Sequence, residues 1–326
     1  MARLFKGGKG TASALLTALL IGYGAENVGA QPVYSNGEYR AGERIGSAKE
    51  SFILNSVLSA FTTGMSSKLN KHWFWRGFKA GLIGGGIESL SREYFVRHPD
   101  AFWKTKLMHS VGVSIKVNAV GNRGMFSDYQ IPIGPAYLEV GKNGVHLIPS
   151  FSTSVSALFA IARGDDFSLR ESLKTGSLAF VTPHSGQGFG VGNTLDLRDD
   201  PLSAKDGSAL DYHERLTLRS HEFVHLLQQH STGVMWTALT YPAIQRQAKE
   251  DGGWFGGMEE VHWAFRPFMY LFMPLGLGLA EAGPFYLPYG VVGFNDRMYN
   301  HVNPFEAEAR RPEVTAFKNA MKAARK

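Results

Sequence analysis

The chain has no cysteine, which excludes disulfides, thiolate metal ligands and lipid attachment through sulfur, so any metal must be held by histidine and carboxylate. Long hydrophobic runs are missing too. Ala12 to Ile21 is too short to span a bilayer comfortably, and Phe268 to Ala280 is interrupted by Pro274 and followed by Glu281. Charge of one sign is weak: 34 Lys and Arg oppose 28 Asp and Glu, a net +6. The basic residues are dispersed except in the tail from Lys318 to Lys326, and no binding motif accompanies them, so nucleic acid is not an expected partner. An apolar share of 44% is that of a folded chain.

What is present begins with the N-terminus. Arg3, Lys6 and Lys9 precede the apolar run 12–21, and Val28-Gly29-Ala30 precedes Gln31, in the order of a secretory signal peptide. Residues 1–30 are therefore expected to be removed, leaving a formal charge of about +4. A cysteine-free exported chain points to a bacterial periplasm or cell envelope.

The remainder divides into a helical N-terminal region, 31–105, an antiparallel β region, 106–200, and a helical metal-site region, 201–326, with 31–326 forming one unit. Phe52, Leu54, Val57, Leu58 and Phe61 recur at helical spacing, and Trp73 to Phe95 carries Gly81, Gly84, Gly85 and Gly86, small enough for close helix approach. Arg76, Lys79 and Glu88 interrupt this stretch, so it reads as an amphipathic region with peripheral membrane contact as an alternative. Val111, Val113, Ile115 and Val117 alternate with Gly112, Ser114 and Lys116, the period of a strand. Further strands are expected over 136–140, 145–151, 153–161, 177–181 and 189–197, the first two joined by a turn at Gly141 to Gly144. The predicted fold is α+β: N-terminal helices, an antiparallel sheet of five or six strands, then zincin-like helices. Gly186, Gly188, Gly190 and Gly192 read as structural glycines rather than a phosphate loop.

The chemistry lies in Ser220-His221-Glu222-Phe223-Val224-His225, an H-E-x-x-H pattern inside an apolar helical run that Asp211 caps with Glu214 three residues on. Residues four apart share a helix face, so His221 and His225 can aim both imidazoles at one ion. Glu222 stands about 100° away round the helix, beside the ion, where it can take a proton from water.

Catalytic zinc usually has three protein ligands. Downstream, Asn303-Pro304-Phe305-Glu306-Ala307-Glu308 has the cap, first-position proline and early carboxylates of a second helix start. At these two helices the chain resembles the gluzincin branch of the HExxH zinc metallopeptidases. That resemblance implies a Zn2+ cofactor, Glu306 as third ligand and a protein or peptide substrate. Glu308 competes with Glu306, but the two lie about 200° apart and only one can face the metal. Arg310 stands where the family pattern often has an acid, so support for a ligand histidine must come from elsewhere. Tyr286, Tyr289, Tyr299 and His301 are candidate oxyanion donors, Tyr299 and His301 foremost. The functional expectation is an exported zinc-dependent metallopeptidase; the alternative is a non-catalytic envelope or membrane-associated protein in which the helix is structural or incidental.

Overall fold

The computed structural model describes residues 33–35, 38–40, 47–69, 72–142, 144–182, 189–191, 193–198, 219–231 and 304–324. The signal peptide, the Asp211 cap, most of the glycine series, the segment 232–303 and the candidate donors Tyr286, Tyr289, Tyr299 and His301 lie outside them.

Helix α1, Ala48–Leu69, opens on a reciprocal cap. The Glu50 amide donates to the Ser47 hydroxyl at 3.2 Å, and the Ser47 amide donates to the Glu50 carboxylate at 2.9 Å. Helix α2, Phe74–Arg97, returns antiparallel along it, and α3, Phe102–Val120, returns along α2. The α1–α2 approach is too close for side chains: a Cβ at Gly81 would stand 2.2 Å from the Ser59 carbonyl oxygen.

Helix α3 is buried nearly all round, with Lys106, His109, Ser114, Lys116 and Asn118 inside as well as Val113, Ile115 and Val117. Polar groups sunk so deeply need partners. Lys116 pairs with Glu88 at 2.6 Å. Burial pulls the Lys106 amine well below the usual lysine range, and its nitrogen meets Gly176 O, Ser177 Oγ and Asn193 Oδ1 at 2.6–2.8 Å. Those bonds fasten α3 to the sheet beyond it.

Two short helices, α4 Phe151–Ala162 and α5 Leu169–Thr175, are each capped by a serine, Ser150 and Ser168. The strands fall into separate small sheets. Strands β1 Val33–Ser35 and β2 Glu38–Arg40 form a pair. Strands β3 Asp128–Ile133, β4 Ala136–Gly141 and β5 Gly144–Pro149 form an antiparallel meander. Strands β6 Asp166–Phe167, β7 Leu178–Thr182, β8 Phe189–Val191 and β9 Thr194–Arg198 form a mixed sheet ordered 6-7-9-8, with β7 and β9 parallel.

This corrects the predicted fold. Among the described residues there is no antiparallel sheet of five or six strands: most of these residues are helical, and the strands are split among small sheets. Residues 111–117 lie in α3, where alternation carries no information because both phases are buried. Residues 153–161 lie in α4, which turns Ser152, Thr153, Ser156 and Ala160 inward and leaves Leu158, Phe159 and Ile161 exposed, the inverse of the pattern that apolar periodicity assumes.

One core joins distant parts of the chain. Phe223, on helix α6 (residues 219–231), stacks at 5.0 Å on Phe95 of α2 and at 5.1 Å, edge to face, on Phe102 of α3. Ala179, Leu195 and Leu197 from the mixed sheet complete this cluster with Leu226, Leu227 and two alanines, Ala309 and Ala316, of helix α7, Pro304–Ala324.

Candidate metal centre

Helix α6 is fixed by the core on one face and presents His221, Glu222 and His225 beside it. Phe223, Val224, Leu226 and Leu227 are buried, which sets the helix rotation. The two imidazoles meet edge to face with centroids 4.8 Å apart, and their Nε2 atoms are 3.1 Å from each other. Both rings are held from behind. The Nδ1 of His221 lies 3.0 Å from Glu313 Oε2, and the Nδ1 of His225 lies 2.9 Å from Gln228 Oε1.

These outer contacts place an acceptor at each Nδ1. An ionised carboxylate only accepts, so His221 donates from Nδ1 to Glu313. For His225 the argument runs one residue further. The Gln228 Nε2 donates to Glu308 Oε2 at 2.9 Å, which turns its carbonyl oxygen toward the ring, and His225 must donate from Nδ1. Glu308 is itself held by the Asn55 amide at 3.0 Å, by the Ser51 hydroxyl and by Arg92 at 3.0 Å. The anchoring is therefore layered: Arg92 and α1 hold Glu308, Glu308 orients Gln228, and Gln228 orients His225.

With an acceptor at each Nδ1, the two Nε2 atoms face each other at 3.1 Å, a separation bridged by a shared proton or by a cation bound between them. Two Zn–N bonds of about 2.05 Å at a tetrahedral angle separate their nitrogens by roughly 3.3 Å. The observed 3.1 Å is close to that span. Neutral imidazoles donating their far N–H to a carboxylate or carbonyl are the form in which histidine binds zinc. Two of the donors that a zinc ion requires stand at that span.

The predicted site residues divide accordingly. His221 and His225 converge, and Glu222 sits buried on the same helix. Glu306 lies in the first turn of α7, where helical period places it on the stripe of Ala309, Glu313 and Ala316, all near α6; its side chain lies outside the described set. Glu308 is committed to Gln228, Ser51, Asn55 and Arg92. Among the described residues, no group of three or more His, Asp and Glu side chains converges on one point. Sequence reasoning missed Glu313 and Gln228. Glu313 follows Pro312, a usual stop signal that α7 runs through. Its signal was the spacing from Glu306, seven residues and hence the same face.

The chain matches no protein-family model, no curated protein and no solved structure.

Proposed function

We propose that the protein is an exported zinc-dependent hydrolase of the metallopeptidase kind, acting in the periplasm or envelope. His221, His225 and Glu306 are its metal ligands and Glu222 its general base. The observation that carries this reading is the facing pair of Nε2 atoms at 3.1 Å with both Nδ1 atoms held by acceptors. A zinc ion held there would supply Lewis acidity and bring the pKa of a water toward neutrality. Glu222, beside and not on such an ion, would accept the proton of the attacking water and return it to the leaving amine. Glu313 and Gln228 keep the imidazoles in the tautomer that leaves Nε2 available. The gluzincin resemblance belongs to this proposal and rests on the two helix motifs.

The test is metal content combined with Glu222→Gln. The mature protein should hold one equivalent of zinc, and Glu222→Gln should keep it while peptide cleavage falls by about 10² to 10⁴-fold. Retained cleavage in zinc-loaded Glu222→Gln would refute the mechanism. Bound zinc without cleavage of any peptide would favour the non-catalytic alternative, in which the ion stabilises the fold.

A further inference from the structure

Helices α1 and α2 are inside out for elements surrounded only by water. Helix α1 buries Ser56, Ser59, Thr63, Ser66 and Ser67 and exposes Phe61 and Met65; α2 exposes Trp75, Leu82, Ile83 and Leu90. Small polar residues between helices and large apolar ones outside are the organisation that hydrocarbon surroundings favour. The exposure is greatest where α1 gives way to α2. There Trp73 is 78% exposed and Trp75 60%, and Phe126 is 79% exposed. Arg76 ties Phe126's segment to this end by bonding Asn122 and, at 2.7 Å, the Arg123 carbonyl. Tryptophan concentrates at the boundary between headgroups and acyl chains.

Charge points the same way. Between Glu50 and Glu88 the sequence has no Asp or Glu, while Lys68, Arg76 and Lys79 fall at this end. Lys68, Arg76 and Lys79 are exposed. Among the described residues the exposed charges at this end are cations, a patch that repels a second copy of itself across a two-fold axis and complements anionic headgroups. No helix among the described residues is long and apolar enough to cross a membrane.

We propose that the α1–α2 turn end docks the protein on an anionic phospholipid bilayer, inserting Trp73, Trp75 and Phe126 at headgroup depth with Lys68, Arg76 and Lys79 around them. This surface is independent of the metal reading. It keeps the candidate centre at a fixed orientation to a membrane, since Arg92, which helps hold that centre, lies roughly 25 Å along α2 from Trp75.

Because the chain lacks cysteine, one introduced thiol places one label. The mature protein carrying Phe126→Cys with an environment-sensitive fluorophore should bind vesicles of phosphatidylglycerol and phosphatidylethanolamine. Its emission should shift to the blue and be quenched by brominated acyl chains, whereas a label at Arg170→Cys stays in water. Arg170 is exposed on α5, whose Leu173 carbonyl meets Trp103 at the opposite end of the helical layer. Lys68→Glu with Lys79→Glu should weaken binding at least about 20-fold, and added salt should weaken it for the parent. Equal binding to phosphatidylcholine vesicles, a label at 126 that remains in water on bound vesicles, or unaltered binding by the charge variant would each overturn the proposal. A blue shift without vesicles that tracks dimerisation would assign the face to a second copy instead. Should the charge variant fail to fold, the two labelled proteins decide the matter alone.

Discussion

At the scale of the residue, the interior stands out for ionisable groups buried close to one another. His109 is held between Ser91 and Ser231, and burial, with Arg92, His230 and Lys116 around it, keeps its pKa well below the ordinary value, so it is neutral in the folded protein. The unfolded chain takes up a proton near pH 6.5 where the folded chain does not. Stability is therefore present above about pH 6.5 and falls as pH drops through and below it, by up to about 1.4 kcal/mol per pH unit from this residue. His109→Gln should flatten that slope, as followed by urea unfolding at pH 7.5, 6.5 and 5.5; an unchanged slope would mean that His109 is charged in the native state. Gln228 supports a second prediction. Gln228→Met, which keeps length but offers no acceptor, should weaken zinc binding about 10 to 100-fold without removing a ligand. Its imidazole nitrogen-15 spectrum in the metal-free protein should show His225 losing its fixed Nδ1–H tautomer. Unchanged affinity and spectrum would show that the amide does not orient the ring.

At the scale of the element, close approach rather than apolar stripe organises the helices. Two glycines of α2 separate the cases. Gly81→Ala would drive a methyl against the Ser59 carbonyl and Ala60 Cα at 2.2 and 2.6 Å, so the helices must part. We expect destabilisation of about 1–3 kcal/mol. At Gly86 the nearest atoms are on the Phe52 ring at 3.7 Å, ordinary contact, and Gly86→Ala should stabilise by up to about 1 kcal/mol through helix propensity. Opposite signs in denaturant midpoints are the signature; a shared sign would deny the close α1–α2 contact. The same principle explains what the sequence made legible. The H-E-x-x-H helix and the 136–149 hairpin announce themselves through local chemistry, a metal-binding spacing and a glycine turn. Helix α3 does not, because a helix buried on every side has no polar face to mark its period. Helix α4 misleads, because the serines and threonine that fill its inner face look like a surface.

At the scale of the whole molecule, binding and folding are linked. A metal that binds only the folded chain adds about 2.7 kcal/mol when present at 100 times its Kd. For a chain of this size that raises Tm by roughly 4 °C. Chelation should reverse the rise in the parent and do nothing in His221→Ala, as calorimetry would show; an identical response in both would exclude His221 as a ligand. Glu313 was unreadable for a reason at this scale: its role depends on how α7 lies against α6, which no local window of sequence contains.

The tie between Ser51 and Glu308 spans 257 residues. Its consequence is one of timing. During synthesis the paired imidazoles at 221 and 225 precede Glu308 and Glu313 of α7, which orient them, so over that interval the chain carries an unaligned centre. Contacts this remote in sequence also close slowly. If the centre cleaves peptides, the nascent chain is shielded from its own chemistry by the order in which its parts arrive, with no separate propeptide needed for that interval.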